Sequence, residues 1–140
     1  MTMPTTKEFS IHLEDRPGTL GKVCRALADR NVNIIAFQSA PVEGKSLVHL
    51  VVDNPTTART VLDSEKLSYK ETEVARVTLP HRAGELARAA ERLGDAKINI
   101  NFAFCGSEPG RNEPVLYFGV ADAGRAATIL DQAASAAAGR

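Results

Sequence analysis

The sequence repeats itself, and this repeat restricts the fold more than any other feature of the 140-residue chain. At an offset of 66 positions, residues 11–38 align with residues 77–104 without a gap, and eight of these 28 positions are identical. The identical pairs are Leu13/Leu79, Arg16/Arg82, Gly18/Gly84, Leu20/Leu86, Leu27/Leu93, Asp29/Asp95, Asn33/Asn99 and Ile34/Ile100. Self-similarity at a fixed offset is the sequence signature of repeated structural units. We therefore predict two modules, residues 1–70 and residues 71–140.

Each half has the hydrophobic pattern of the same series of strands and helices. Alternating apolar residues predict strands, and apolar residues three or four positions apart predict helices. In the first half the predicted elements are a strand at 9–13, a helix from 20 to 29–31, strands at 32–40 and 47–52, a helix that starts at Asn54-Pro55 and an extended run at 67–79. In the second half they are a strand at 74–79, a helix at 85–95, strands at 98–104 and 115–120 and a helix at 125–138.

This order of elements is that of the ferredoxin-like unit (βαββαβ), in which two helices cover one face of a four-stranded antiparallel sheet. The predicted fold class is therefore α+β, with two ferredoxin-like modules side by side. The second half ends at its second helix, so its last strand is missing. Either that module has three strands, or the run at 67–79 serves both halves. Residues 107–114, rich in Gly, Pro and Glu, are predicted to form a hairpin tip.

Composition and charge disfavour several classes of protein. The 17 basic and 17 acidic residues give a formal net charge of zero, which argues against binding to nucleic acid. The two cysteines and three histidines are too scattered for a disulfide framework or a metal site. An apolar run of 18 residues and an apolar leader segment are both absent, so we expect a cytoplasmic protein without membrane contact. No cofactor motif is present, and we expect no cofactor.

The repeat retains a glycine at a helix start and an asparagine fifteen residues later, at Gly18/Asn33 and at Gly84/Asn99. Backbone N–H groups at a helix N-terminus attract an anion, and a carboxylate is a simple ligand of this kind. Asp15 precedes Gly18 by three positions and can accept a hydrogen bond from an ammonium group. The loop therefore suits a zwitterionic amino acid. The alternative is that these glycines and asparagines only shape turns.

The motif LEDRPGTL at 13–20, followed by NVNI at 31–34, resembles the signature of ACT domains, which are ferredoxin-like regulatory modules. The motif HRAGEL at 81–86, followed by KINI at 97–100, resembles it less closely. The likeness covers residues 7–135 and is strongest to small stand-alone proteins with two ACT modules. It implies amino-acid binding at interfaces between modules. The ligand-binding residues that it implies are Asp15, Arg16, Pro17, Gly18, Thr19, Leu20, Asn33, Ile34, His81, Gly84, Glu85, Leu86, Asn99 and Ile100.

The second loop departs from this motif at two positions. Ala83 replaces the proline, and His81 stands where an acid or an amide is usual. We therefore expect the first loop to be the better ligand site. The resemblance also implies that Phe102 or Phe104 lines a pocket for the ligand side chain. Ordinary packing within the strand is the alternative for at least one of them.

These observations predict a non-catalytic regulatory protein that binds an amino acid and passes the signal to a metabolic enzyme. His12 and His49 alternate out of phase with the core positions, so we expect them on the sheet face away from the helices. A second module or a second subunit can pack on that face, and an exposed sheet face predicts a homodimer. The alternative is a protein–protein interaction module without ligand binding, whereas no set of acid, base and nucleophile supports an enzyme. Cys24 falls on the apolar helical stripe, and for Cys105 burial and exposure stay open.

Overall fold

In the computed structural model, which describes residues 4–140, the chain has a mixed α/β fold with four helices and six strands. The elements in chain order are β1 (Thr5–Glu14), α1 (Thr19–Asp29), β2 (Ile34–Val42), β3 (Lys45–Val52), α2 (Pro55–Ser64), β4 (Ser68–Thr78), α3 (Glu85–Asp95), β5 (Phe102–Gly106), β6 (Val115–Gly119) and α4 (Ala123–Ala138). Within the described residues, no helix is both long and apolar enough to cross a membrane.

The strand predicted at 98–104 is wrong in its first part, since β5 begins only at Phe102. Two features of the backbone explain the difference. Lys97 has a φ of 63°, in the left-handed region, and the N–H group of Ile98 donates to the carbonyl of Leu93 at 2.9 Å. Residues 96–98 therefore complete the end of α3 rather than start a strand. The hairpin tip predicted at 107–114 does connect β5 and β6.

The described chain divides into two compact units. The first unit holds Lys7–Thr72, and the second holds Glu73–Arg140 together with residues 4–6. Strands β1 and β4 each contribute residues to both units, so the chain passes between the units within strands and without a flexible linker.

In the first unit, β3 pairs antiparallel with both β1 and β2. Helices α1 and α2 pack on one face of this sheet. The buried core between them consists of Phe9, Ile11, Leu13, Val23, Leu27, Val32, Val48, Leu50, Val52, Ala58, Val61 and Leu62. Helix α2 begins at Pro55 because the side chain of Asn54 accepts a hydrogen bond from the N–H group of Thr57 at 3.1 Å.

In the second unit, β6 pairs antiparallel with β4 and β5, and α3 and α4 pack on one face. The core consists of Ala75, Val77, Leu79, Ala89, Leu93, Ile98, Phe118, Val120, Ala123, Ala126, Ala127, Leu130 and Ala133. Beside β4, the carbonyl of Pro4 accepts a hydrogen bond from the N–H group of Arg76 at 2.9 Å. Pro4 therefore lies beside β4 in this unit.

The sheet faces away from the helices are mostly buried within the single chain. In the first unit Glu8 and His49 are buried there, and in the second unit Arg76 and Tyr117 are buried. His12 is exposed. The exposed sheet face from which we predicted a homodimer is therefore present at His12 but not at His49, which is buried.

Candidate ligand-binding loops

The two loops of the repeat have the same backbone conformation. Gly18 has φ 92° and ψ −15°, and Gly84 has φ 90° and ψ −14°. Both glycines are the N-cap residues of their helices, and neither helix has a side-chain hydrogen bond at its cap. A residue with a Cβ atom is strained in this left-handed region, so glycine is required for the same reason in both halves. The repeated glycine is thus explained by turn geometry alone.

The first loop is held by hydrogen bonds of its own residues. The hydroxyl of Thr19 donates to the carbonyls of Glu14 at 2.9 Å and Arg16 at 3.1 Å. The guanidinium of Arg16 pairs with the carboxylate of Glu14 and lowers the pKa of that carboxyl. Asp15 and Pro17 are exposed, and the carboxylate of Asp15 makes no hydrogen bond or ion pair within the described part of the chain.

The N-terminus of α1 is open. A Cβ atom placed on Gly18 meets nothing within 4 Å, and the first turn of α1 contains no acidic residue. The first N–H groups of a helix have no partners inside it and carry a partial positive charge. This helix end can therefore accept an anion, with the free carboxylate of Asp15 three residues away in sequence.

A pocket of about 160 Å³ lies beside the first loop. It is lined by Leu13, Glu14, Arg16, Thr19, Lys22, Val23, Glu65 and Leu67. Asn33 is not among these residues. Its backbone pairs with Asp53, whose carboxylate accepts from the N–H group of Asn33 at 2.9 Å, and its exposed side chain is free within residues 4–140. Leu20 and Ile34 are half-buried and pack against the core, so they stabilise the unit rather than line this pocket.

The second loop is filled by charged side chains. The guanidinium of Arg88 lies over Gly84, where a Cβ atom would come within 2.9 Å of its Nη1 atom. Glu85 is only 3% exposed, and its carboxylate accepts hydrogen bonds from Arg88 and from Arg140, the latter at 3.1 Å to each oxygen. The hydrogen bonds from Arg140 and then Arg88 lower the pKa of Glu85 to about 2.

Arg82 connects the second loop to the end of α4. Its Nη2 atom donates to the carbonyl of Ala137 at 2.8 Å, and its Nη1 atom donates to the carbonyl of Arg140 at 3.2 Å. Nη2 also lies 3.7 Å from a carboxylate oxygen of Glu85. A cation at a helix C-terminus stabilises the free carbonyls there. Three arginines therefore surround one buried carboxylate, and they fix the C-terminal residue against the loop.

A pocket of about 280 Å³ lies beside the second loop. It is lined by Leu79, Pro80, His81, Arg82, Glu85, Leu86, Cys105, Pro114 and Leu116. Asn99 and Ile100 are not among these residues. The amide of Asn99 donates to the side chain of Asn101 at 3.0 Å, and Ile100 packs against the core. Cys105, left open by the sequence, is exposed.

In the second unit Phe104 stacks with both Phe102 and Tyr117. The ring centroids of Phe102 and Phe104 are 6.2 Å apart, and those of Phe104 and Tyr117 are 5.4 Å apart. The ring of Phe102 also covers Gly119, where a Cβ atom would come within 2.3 Å of it. Neither phenylalanine lines the pocket beside the second loop. Packing around β5 and β6 therefore accounts for both rings.

Sequence reasoning missed four residues that shape the second loop, namely Arg82, Arg88, Arg140 and Cys105. Arg88 and Arg140 hold Glu85, and Cys105 lines the pocket beside it. The position of Cys105 opposite Leu116, on the strand pair that faces α3 and α4, follows from the register of β5 and β6. The hairpin pattern therefore indicated where Cys105 would lie, whereas no local sequence pattern predicts that Arg140 contacts Glu85. Within the described residues, no three His, Cys, Asp or Glu side chains form a group that could hold a metal ion.

The chain is similar in sequence to a known family over its first unit. Residues 7–64, which contain the first loop and nearly all of the first unit, match the ACT domain. An ACT domain is therefore present in this chain. The ACT domain-containing protein ACR3 of Arabidopsis thaliana is 29% identical over 93 residues, which is 65% of this chain and 20% of that protein. The chain thus spans only a small part of this curated relative.

Solved structures have the same fold. Protein BT0572 from Bacteroides thetaiotaomicron superposes with a TM-score of 0.81 at 22% identity, covering 92% of this chain and 88% of that one. The regulatory subunit of aspartate kinase from Thermus thermophilus, in its ligand-free form, superposes with a TM-score of 0.65 at 16% identity, covering 94% and 93%. At these identities the likeness establishes the fold alone. It does extend over both units, beyond the residues that match the ACT domain.

Proposed function

We propose that this chain is a non-catalytic regulatory protein that binds an amino acid at the first loop. One observation carries the proposal: the helix end at Gly18 is open, and Asp15, whose carboxylate is unpaired within the described residues, lies three positions before it in the chain. The matching helix end at Gly84 is covered by Arg88. The ACT domain match includes the first loop and supports the same assignment.

The chemistry of the first loop fits both charged groups of an amino acid. The ligand carboxylate would accept hydrogen bonds from the N–H groups at the start of α1, which the helix dipole makes favourable. The ligand ammonium would donate to the carboxylate of Asp15. The free side-chain amide of Asn33 has both donors and an acceptor with which to contact either group. Binding would thus use the side chains of Asp15 and Asn33, which make no hydrogen bond or ion pair in the described part of the chain, together with N–H groups at the start of α1.

We propose further that the chain is a tandem of two ferredoxin-like ACT modules, residues 1–70 and residues 71–140. The internal repeat and the element order βαββαβ in the first part of the chain support this arrangement. A neighbouring module, in the same chain or in a second copy, would enclose the open side of the first loop. Amino-acid binding would then favour one arrangement of modules, and a homodimer in the cytoplasm would pass this change to a metabolic enzyme.

A protein with the same fold suggests the kind of metabolism in which this chain acts. One structure with this fold is the regulatory subunit of aspartate kinase from Thermus thermophilus. By analogy, we propose that this chain acts in amino-acid metabolism as a regulatory partner, without carrying out a reaction itself. The analogy rests on fold and is weaker than the argument from the loop.

Thermal unfolding in the presence of each of the twenty amino acids tests the proposal, followed by calorimetry with those that respond. A true ligand at 100 times its Kd stabilises the folded protein by about 2.7 kcal/mol. Asp15→Ala should abolish the response, whereas Asp95→Ala, which removes an exposed carboxylate at the far end of α3, should leave it unchanged. A folded protein that responds to no amino acid would overturn the proposal.

A second candidate function is a protein–protein interaction module that has lost ligand binding. The aromatic side chain of Phe37 on β2 favours it, because this ring is 59% exposed. Exposed apolar patches on small proteins often mark binding surfaces for other proteins. In this case Phe37→Ser would remove partner binding in a co-purification assay, and Asp15→Ala would not change it.

A further inference from the structure

We propose that the pocket beside the second loop binds a small apolar carboxylate that has no ammonium group, such as a branched-chain fatty acid or 2-oxo acid. This site lies within the second unit and its ligand belongs to a different chemical class from an amino acid. The proposal does not depend on amino-acid binding at the first loop.

The wall of the pocket is mainly apolar. Leu79, Leu116 and Pro114 line it, and Leu86 adds a side chain that is 54% exposed. Covering such a side chain removes apolar surface from water, which favours an apolar ligand. The volume of about 280 Å³ lies just below the usual range for ligand pockets, roughly 300–1,000 Å³, so the ligand must be small.

The polar groups of the pocket favour an anion. Both oxygens of Glu85 are engaged by Arg140, and one of them is also bonded by Arg88. The side chains of Arg82, Arg88 and Arg140 carry three positive charges, whereas the side chain of Glu85 carries one negative charge. The cluster therefore has a net positive charge beside an apolar wall, which complements a ligand with a carboxylate at one end and a hydrocarbon chain at the other.

Arg82 is the group that can bind the ligand carboxylate directly. It lines the pocket, and its side chain is 44% exposed. A guanidinium has five N–H groups, and the hydrogen bonds of Arg82 to the carbonyls of Ala137 and Arg140 use two of them. The remaining N–H groups can donate to a carboxylate while Arg82 keeps its bonds to the end of α4. Such charge-assisted hydrogen bonds are stronger than neutral ones.

The same pocket disfavours an ammonium group. His81 occupies the position that Asp15 holds in the first loop, so the acid that would accept an ammonium is absent. Glu85 is the one carboxylate among the residues that line this pocket, and arginines already occupy both of its oxygens. An amino acid would therefore bring its ammonium close to Arg82 without an acceptor, whereas the matching acid without an ammonium avoids this repulsion.

The protein contains its own reporter for this pocket. Cys105 lines it and is exposed, while Cys24 is half-buried and burial raises the pKa of its thiol. In a Cys24→Ser variant, the reaction of N-ethylmaleimide therefore measures access to Cys105 alone. The reagent is uncharged, so its approach does not respond to the arginine cluster. The test ligands are 4-methylpentanoate, 4-methyl-2-oxopentanoate, leucine and 4-methylpentanamide, which share one hydrocarbon skeleton.

The two carboxylates without an ammonium should protect Cys105, and at a concentration ten times Kd the labelling rate should fall about tenfold. Leucine and the amide should give no protection at the same concentration. Equal protection by leucine would overturn the proposal, and so would the absence of protection by both carboxylates at about 10 mM, a concentration that detects a Kd as weak as 1 mM.

A variant at the exposed His81 tests the selectivity argument. His81→Asp places an acid where Asp15 stands in the first loop, so protection by 4-methylpentanoate should weaken while leucine begins to protect. The control Arg92→Gln lowers the net charge by the same amount at the far end of α3 and should leave the protection unchanged. If His81→Asp keeps the selectivity of the parent, the proposed reason for excluding an ammonium is wrong. Amino-acid binding at the first loop is measured separately by thermal unfolding. That response should persist in His81→Asp and be lost in Asp15→Ala.

Discussion

Gly18 and Gly84 have φ values of 92° and 90°, yet the space around them differs. Nothing lies within 4 Å of the Cβ position of Gly18, whereas the guanidinium of Arg88 lies against that of Gly84. The next residue differs too: Thr19 bonds carbonyls of its own loop, and Glu85 bonds Arg140 at the chain end. Repeated glycines thus show that two turns share a backbone, and the side chains around them decide whether each turn stays open.

This difference is the basis on which we propose different ligands for the two halves. The open loop keeps an unfilled helix end and a free carboxylate, which suit a zwitterion. The second loop is fixed within its unit, since Arg82 and Glu85 join it to the end of α4. Its pocket is left with apolar walls and surplus positive charge. Substitutions at matching positions test how far the two halves are alike and where they differ.

Substitutions in the core, which both halves have, are expected to give the largest effect. Leu27 of α1 and Leu93 of α3 are repeat partners, and both are fully buried. Leu27→Ala and Leu93→Ala should each lower the free energy of unfolding by about 2–5 kcal/mol, because each leaves a cavity in packed apolar surroundings. Urea unfolding followed by circular dichroism measures both. A much smaller loss at one position would mean that the corresponding half packs more loosely than its partner.

The repeat and the core patterns were available from the sequence because they are local. The helix predicted at 85–95 has those bounds in the structure, and the apolar stripe of α1 gave Val23 and Leu27 as core residues. The start of β5 was not predicted. Ile98 is apolar whether it belongs to a strand or follows the end of a helix, and only the left-handed backbone at Lys97 distinguishes the two.

The features that distinguish the two loops depend on long-range contacts, which local patterns do not encode. Arg140 bonds Glu85 across 55 positions of sequence, and Pro4 accepts from Arg76 at the edge of β4. The sequence did suggest that His81 and Ala83 make the second loop different. It did not reveal that arginines fill that loop, because each of them could as well have been a solvated surface residue.

A smaller effect is expected at the glycines. Gly18→Ala should cost roughly 1–2 kcal/mol, because alanine in the left-handed region is strained although the space for its Cβ atom is free. Gly84→Ala should cost more, since the new Cβ atom would also displace the guanidinium of Arg88 and weaken its bond to Glu85. Thermal unfolding of the two variants side by side measures the difference. Equal losses would show that Arg88 moves aside without cost.

The smallest effect is confined to acidic pH and tests the filled loop directly. Arg140 and Arg88 lower the pKa of Glu85 to about 2, below the ordinary value of 4.5. The charged form is therefore favoured by folding, so the stability that it contributes is fully present above pH 4.5 and is lost as the pH falls towards 2. In Glu85→Gln this part of the pH dependence of unfolding should disappear, and Thr19→Val at the matching position should leave it intact.

The control for the acid transition is Glu91→Gln, which removes an exposed carboxylate from the same helix that makes no ion pair within residues 4–140. Unfolding is followed by circular dichroism between pH 7 and pH 2. If Glu85→Gln and Glu91→Gln have the same profile, the arginines do not hold the carboxylate of Glu85 in solution. The second loop would then lack the ion pairs that distinguish it from the first, although His81 would still stand where the first loop has Asp15.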